Sequence, residues 1–278
     1  LYRYAKDAQD VGIKIPFTVF DKGDTKKVVE KLMKDFNIDK KRFDAIFILD
    51  MISRAKANAD PKSLLSDVTL ETRWREFYDA YNEELRRQGA VDFDDLLLLP
   101  LHLFSVNERV LAKERARFKW VLVDEYQDVN PPQYKLIKML AKSGNIMVVG
   151  DPDQSIYGWR GADMSIIMNF EHDFPGAKVI TLDQNYRSTG MILDAANAVI
   201  KHNAERRPKD LWTANQRGTP VMVYLAGSDR LEAQFIADEI RKLCHSGYSY
   251  DDIAVLYRIN AMSRSYEQNL ISSGIPYR

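Results

Sequence analysis

The 278-residue sequence contains a single cysteine, Cys244, so it can form no intrachain disulfide and holds no thiolate cluster for zinc. A chain without disulfides suits a reducing compartment, and we expect a cytoplasmic protein. An excess of either charge is also missing, because 40 Lys and Arg residues balance 40 Asp and Glu residues. This balance excludes a strongly basic or acidic chain, so any nucleic-acid site must be a local patch.

Long apolar runs and a phosphate-cradling loop are missing as well. No run approaches the roughly 18 apolar residues of a membrane-spanning helix, and the longest, around Leu96–Leu99, is much shorter. None of the thirteen glycines is followed by lysine. The GxxxxGKS/T loop of P-loop NTPases is therefore absent from these residues. The sequence predicts no membrane segment, and it supplies no cradle of that kind for a nucleotide.

Length and hydrophobic pattern predict two domains, at roughly 100–200 residues per domain. The first 90 residues are amphipathic and poor in strands, with helical spacing of apolar side chains over 24–36 and 70–87. Beyond residue 91, apolar strands alternate with helices, which indicates an α/β fold with a parallel sheet. A polar connector after residue 203 separates two such α/β units. The predicted strands are 118–123, 145–149, 178–182, 221–226 and 253–257.

The strongest local signal is an apolar strand that ends in two adjacent carboxylates. In the run VLVDEYQD, Asp124 and Glu125 follow the strand directly. Ligands of doubly wound sheets bind beyond the carboxyl ends of the strands. An aspartate there can hold Mg²⁺ directly or through water, and the next carboxylate can orient or deprotonate an attacking water. A polar turn after a strand explains the pair equally well, so the pair alone leaves both interpretations open.

The run GDPDQSIYGWRGAD, residues 150–163, follows the next predicted strand and should lie beside the acidic pair. Gln154 offers an amide that can sense a phosphate. Tyr157, Trp159 and Arg160 combine aromatic rings with a cation between glycines. Aromatic faces stack on unpaired bases, at about 1–3 kcal/mol per base. The alternative is that the rings belong to the core, but the flanking glycines favour a surface loop.

A third signal, QNYRS at residues 184–188, lies between a predicted strand and a helix. Arg187 at this junction is placed to reach a phosphate. An arginine that neutralises transition-state charge in phosphoryl transfer accelerates the reaction by roughly 10³–10⁵. A salt-bridged surface arginine is the alternative.

Taken in this order, DEYQD, GDPDQSIYGWRGAD and QNYRS resemble helicase motifs II, III and IV of the UvrD/Rep-type superfamily 1 DNA helicases. The runs VDFDDLL (91–97) and AVLYRINAMSR (254–264) also match that family's pattern. The resemblance implies RecA-like parallel sheets of the P-loop NTPase type with an inserted helical subdomain. It implies four segments: 1–21 as the end of an N-terminal RecA-like segment, 22–90 as the helical insertion, 91–203 as the remainder of the first motor domain, and 204–278 as the truncated start of the second.

The resemblance also implies a role for each matching side chain around the nucleotide. Asp124 would position Mg²⁺, and Glu125 would be the catalytic base of ATP hydrolysis. Gln154 and Arg187 would contact the γ-phosphate, and Tyr186 would pack on the adenine.

Two sets of DNA contacts follow from the same resemblance. Tyr157 and Trp159 would stack on bases of single-stranded DNA, with Arg160 beside them. A second set would meet the DNA backbone from the second domain: Tyr257, Arg258 and Asn260. The basic runs 40–42 and 206–207 are further candidates for backbone contacts, with ordinary solvated surface as the alternative.

We therefore expect part of an ATP-dependent 3′–5′ DNA helicase that translocates on single-stranded DNA and unwinds duplexes in repair or replication. Its partners would be single-stranded DNA, junctions of single- and double-stranded DNA, and repair proteins. Because the family's P-loop lies upstream and its last motifs downstream, we expect these residues alone to be inactive. Exposed edges of an incomplete sheet favour dimerisation.

Two alternatives stay open. The motor portion of a RecB/AddA-type helicase–nuclease is disfavoured by the short first insertion. A non-catalytic module that binds single-stranded DNA would suit the missing P-loop, but such a module has no need of all four residues Asp124, Glu125, Gln154 and Arg187.

Overall fold

A computed structural model describes residues 1–57, 74–142, 144–203 and 206–278. The chain divides into two compact units. The larger unit comprises Leu1–Leu182 with Ile200–Lys209, and the smaller unit comprises Asp183–Val199 with Asp210–Arg278. Among the described residues, no helix combines the length and the hydrophobicity that a bilayer crossing requires.

The larger unit combines helices with two pairs of parallel strands. Its strands are β1 (Thr18–Val19), β2 (Ala90–Val91), β3 (Val121–Val123) and β4 (Ile146–Val148). Its helices, as far as the structure describes them, are α1 (Lys22–Asp35), α2 (Ala45–Ala57), α3 (Trp74–Arg87), α4 (Asp95–Val106), α5 (Glu108–Arg117), α6 (Pro131–Leu140), α7 (Met164–Met168) and α8 (Phe170–Asp173).

Helices α1, α2 and α3 follow β1 and precede β2 in the sequence, and these two strands pair with each other in parallel. Their core joins Val29 of α1, Ile48 of α2 and Phe77 of α3, all buried. The side chain of Asp21 begins α1 by accepting hydrogen bonds from the backbone of Gly23 and Asp24, which satisfies amides that have no partner inside the helix. These helices confirm the amphipathic pattern of the first 90 residues; residues 70–73 of the predicted second helix lie outside the described residues.

A buried ion cluster connects α2 to the start of α4. The Lys56 ammonium, only 1% exposed, lies 2.7 Å from Asp92 Oδ2 and 2.7 Å from Asp95 Oδ1. Burial lowers the pKa of Lys56, but the two carboxylates outweigh burial and hold that pKa above its usual value. A charge that is buried and hydrogen-bonded on two sides is costly to leave unpaired. The cluster therefore fixes α2 against the segment that follows β2.

Strands β3 and β4 are parallel neighbours, with Val121 opposite Ile146 and Val123 opposite Val148. They correspond to the predicted strands 118–123 and 145–149. Parallel neighbours have their carboxyl ends at the same edge. The segments that follow them, which carry the acidic pair and the run 150–163, therefore start side by side.

The other three predicted strands, 178–182, 221–226 and 253–257, are wrong: the structure describes these residues and forms no strand there. Their apolar side chains, such as Leu182, Leu225 and Leu256, are largely exposed. Apolar β-branched runs indicate a tendency to pack in a sheet, but a strand also needs a hydrogen-bonded neighbour. The described residues offer these segments none; the nearest feature is one isolated parallel bridge between Gln184 and Trp212.

The smaller unit is helical in its described elements. Its helices are α9 (Gly190–Ile200), α10 (Asp229–His245) and α11 (Ser263–Ser272). Helices α10 and α11 pack through Ala237, Ile240 and Leu270, and Tyr266 of α11 donates a hydrogen bond to Glu232 of α10 at 3.1 Å. Helix α10 lies between the predicted strands 221–226 and 253–257, as a crossover helix would, but neither segment pairs as a strand.

Candidate functional site

The acidic pair lies in a strained turn directly after β3. Asp124 and Glu125 are both exposed, and the Glu125 amide donates to Asp124 Oδ1 at 2.9 Å. Glu125 adopts the left-handed conformation, with φ of 49° and ψ of 43°. For a residue with a side chain, this conformation costs on the order of 1–3 kcal/mol and is concentrated at functional sites. A plain polar turn gives no reason for this strain.

Gln127 connects the acidic pair to the end of β4. Its side chain is buried, with 1% exposure. The amide nitrogen donates to Glu125 Oε2 at 2.8 Å, and the amide oxygen accepts from the Asp151 backbone N–H at 2.9 Å. This residue was not among the predicted site residues. The one available signal was its place two residues after Glu125 at a strand end.

The loop after β4 is held by ion pairs from the connector at residues 206–209. Asp151 accepts a hydrogen bond from Gln154 Nε2 at 2.9 Å and pairs with Lys209. Arg206 contacts both carboxylate oxygens of Asp153, at 3.1 and 2.8 Å. The candidate phosphate sensor, Gln154, is exposed, but its amide is hydrogen-bonded to the Asp151 carboxylate, which is in turn paired with Lys209.

Electrostatics in this loop favour the ionised form of Asp151. Burial raises the pKa of Asp151, but hydrogen bonds from Lys209 and Gln154 outweigh burial and hold it below its usual value. The pairing also removes Arg206 from the candidates for DNA contact, because its guanidinium is already occupied by Asp153 and is only 10% exposed. Arg207 pairs with Glu171. The other basic run, residues 40–42, is exposed.

The aromatic part of the same loop is at the surface, as predicted. Trp159 is 69% exposed, and Tyr157 lies 6.4 Å from it between ring centroids. The Arg160 guanidinium lies over both rings, at 4.5 Å from the Trp159 centroid and 5.1 Å from the Tyr157 centroid. Gly161, with φ of 86°, ends the short 3₁₀ turn that carries these side chains. The two rings are tilted by 48° to each other, and together with Arg160 they offer an aromatic, cationic surface that suits base stacking.

Tyr186 and Arg187 belong to the smaller unit, on a turn organised by Asn185. The Asn185 side chain accepts hydrogen bonds from the backbone of Arg187 at 3.0 Å and of Ser188 at 2.7 Å. The Tyr186 ring is 78% exposed, and its hydroxyl donates to Gln184 Oε1 at 2.8 Å. The exposed Arg187 side chain forms no ion pair with any described residue. The alternative interpretation, a salt-bridged surface arginine, therefore lacks its partner in the described chain.

The remaining candidates, Tyr257, Arg258 and Asn260, are exposed residues of the smaller unit just before α11. Tyr257 packs at 6.1 Å between centroids on Tyr266 of that helix, which fixes one member of the set. The predicted residues thus divide between the units. Asp124, Glu125, Gln154, Tyr157, Trp159 and Arg160 lie in the larger one, and Tyr186, Arg187, Tyr257, Arg258 and Asn260 lie in the smaller one.

The donor set at β3 fits a magnesium ion that is held mainly by phosphates. In the described parts of the chain, no group of three or more His, Cys, Asp or Glu side chains forms a metal cage. Asp124 supplies a single exposed carboxylate at a strand end. Mg²⁺ keeps several waters and commonly takes one or two protein carboxylates plus substrate phosphates. Asp124 therefore fits a metal–nucleotide complex better than a resident metal ion.

The chain is similar to known DNA helicases. Residues 1–175 match the family model for the UvrD/REP helicase N-terminal domain, and residues 180–278 match the one for the UvrD-like helicase C-terminal domain. Proteins named ATP-dependent DNA helicase PcrA are similar over 98% of this chain: that of Leuconostoc citreum is 44% identical over 277 residues, and that of Staphylococcus aureus is 45% identical over 277 residues. The chain spans 37% and 38% of the length of these two relatives. Since the first model alone covers more than half of the chain, the chain belongs to the UvrD/REP helicase family.

Proposed function

We propose that this chain is the part of an ATP-dependent 3′–5′ DNA helicase that connects the nucleotide site to single-stranded DNA. One observation carries the proposal. The strained acidic pair after β3 and the aromatic loop after β4 start from paired strands and are joined by hydrogen bonds through Gln127 and Asp151. A module that only binds DNA has no need of this connection.

The residue roles that we propose are those that the resemblance to the helicase family implies. We propose that Asp124 holds Mg²⁺, which neutralises phosphate charge when bound, and that Glu125 is the general base. Glu125 accepts a proton from water as the water oxygen bonds to the γ-phosphorus and the bond to the β-phosphate oxygen breaks, leaving ADP and phosphate. Gln154 and Arg187 bind the γ-phosphate, and Tyr186 stacks on the adenine.

We propose that the aromatic part of the loop after β4 binds single-stranded DNA. Tyr157 and Trp159 stack on unpaired bases while Arg160 adds positive charge beside them. Tyr257, Arg258 and Asn260 contact the backbone. The substrates are single-stranded DNA and its junctions with duplex, and repair proteins are proposed partners.

We also propose that the family's RecA-like fold carries a helical insertion at residues 22–90. Support comes from the parallel pairing of β1 and β2, the two strands that flank α1, α2 and α3. Residues 1–21 and 91–203 then belong to the first motor domain and 204–278 to the second. The apolar side chains Leu122 of β3 and Met147 of β4 are exposed. We therefore still predict that these residues can dimerise.

The test is ATP hydrolysis by the full-length protein, expressed from its complete reading frame, with and without single-stranded DNA. We expect DNA to stimulate hydrolysis and Glu125→Gln to lower kcat by at least about 100-fold, the range typical for removal of a general base, with ATP still bound. Hydrolysis that ignores DNA, or a Glu125→Gln variant with wild-type kcat, would refute the proposal.

A further inference from the structure

Gln127 has a buried side-chain amide two residues after the proposed base, and the proposed function gives it no role in hydrolysis. Its amide makes two short hydrogen bonds, 2.8 Å to Glu125 Oε2 and 2.9 Å from the Asp151 N–H, and its nitrogen also donates a longer one to Asp128 Oδ2 at 3.4 Å. A buried amide that satisfies both ends in this way is held in one orientation. That orientation presents an N–H donor to the carboxylate of an otherwise exposed glutamate.

The neighbouring backbone is shaped around this amide. A Cβ at Gly150 would lie 2.7 Å from Gln127 Oε1 and 3.0 Å from the Tyr126 backbone nitrogen. The first distance is shorter than the contacts that Cβ atoms make, and the second is at their lower limit, so a side chain at position 150 would displace the glutamine or the strand end. The glycine at the end of β4 therefore permits the close contact between the two strand ends, independently of any role in the loop itself.

The conformation and exposure of Glu125 explain why its carboxylate needs a hydrogen-bond donor to hold it. An exposed glutamate in the left-handed region has no packing to hold its side chain. Catalytic groups must be held within a small tolerance, since a displacement of about 1 Å can cost on the order of 100-fold in rate. Among the described side chains, the contact from Gln127 is the one hydrogen bond to the Glu125 carboxylate.

We propose that Gln127 is a positioning residue for hydrolysis: it fixes the carboxylate of Glu125 and ties it to the backbone of the loop that carries Gln154. This proposal rests on the proposed function, because it assumes that Glu125 is the base. Any displacement of the loop at Asp151 then moves the amide and, with it, the carboxylate. The two strand ends act as one unit during turnover.

The test uses the full-length protein and two substitutions. Gln127→Leu removes every hydrogen bond of this side chain, and Gln127→Glu keeps an acceptor for the Asp151 N–H while replacing the donor with an oxygen beside Glu125. We expect each to lower the DNA-stimulated kcat by about 10- to 100-fold, with the KM for ATP and the Kd for single-stranded DNA changed less than about twofold. Tyr126→Phe is the matched control, because Tyr126 is equally buried and its hydroxyl has no hydrogen-bond partner among the described residues; its kcat should equal that of the wild type.

A double-mutant cycle separates positioning from a general effect on folding. In a Glu125→Gln background, measured in single turnover, Gln127→Leu should cause no further loss, since the group it positions is gone. Wild-type kcat in both Gln127 variants, or a loss that adds fully to that of Glu125→Gln, would overturn the inference while leaving the proposed function intact. Full activity in Glu125→Gln alone would overturn the assignment of the base and the inference with it.

Discussion

Replacement of Trp159 by alanine is the most direct perturbation of the proposed grip on DNA. The side chain is 69% exposed, so its removal creates no cavity and should leave stability within about 0.5 kcal/mol of the wild type. It should remove the stacking of one base, worth about 1–3 kcal/mol. At 1.4 kcal/mol per tenfold, the Kd for single-stranded DNA should rise by about 5- to 150-fold.

The assay is fluorescence anisotropy of a labelled oligonucleotide with the full-length protein, together with ATP hydrolysis at increasing DNA concentration. We expect the DNA concentration for half-maximal stimulation to rise in parallel with the Kd, while the affinity for ATP stays unchanged. Trp120→Ala is the matched control, because Trp120 is the same residue type with the same 69% exposure outside the loop. Loss of ATP affinity with intact DNA stimulation would refute the assignment of Trp159, and so would an equal effect of Trp120→Ala.

Three further predictions concern the stability of the loop after β4, measured by urea unfolding. Because the pKa of Asp151 is held below its usual value, its ionised form stabilises the fold above its unfolded pKa of about 3.9, and this contribution is lost as pH falls through the folded pKa. Asp151→Asn should therefore be less stable than the wild type at pH 7, with the difference shrinking below about pH 4; a constant difference contradicts this. Gly150→Ala should lower the free energy of unfolding by about 1–3 kcal/mol through overpacking. Gly158→Ala should lower it less, because no atom lies within 4 Å of a Cβ at position 158. Equal losses would contradict the close contact at Gly150. Arg206→Ala should lower the free energy of unfolding by about 2–3 kcal/mol, because the partly buried Asp153 loses two charge-assisted hydrogen bonds and keeps only Lys209 Nζ at 4.0 Å. Removal of the exposed Arg207 should lower it by at most about 1 kcal/mol, and the reverse order would contradict the ion-pair geometry.

The positions of the site residues were predictable from the sequence where the chain order and strand ends determined them. The apolar runs before Asp124 and before Gly150 form paired parallel strands, and the loops after them begin together for that reason. The glycines around Trp159 correctly indicated an exposed loop. Helices also followed from local spacing, since the hydrogen bonds of a helix are made within its own segment.

The contacts between residues that are distant in the sequence could not be predicted from the local sequence pattern. The apolar runs at 178–182, 221–226 and 253–257 have the composition of strands, but composition does not supply a neighbour. In the same way, nothing near Asp151 in the sequence indicates its pairing with Lys209, which lies 58 residues away. Gln127 was not predicted because a glutamine after a strand has many uses, and its contact to the Asp151 backbone exists only once β3 and β4 are paired.

We propose that hydrolysis at this site drives movement along one strand of DNA, and a strand-displacement assay tests this proposal. Duplexes with a 3′ single-stranded tail, a 5′ tail or no tail are incubated with the full-length protein and Mg-ATP, and release of the labelled strand is measured. We predict release from the 3′-tailed duplex with ATP and none when a nonhydrolysable analogue replaces ATP. Release that needs no hydrolysis, or no release from any duplex by a protein that hydrolyses ATP and binds the tail, would contradict a helicase that moves 3′ to 5′.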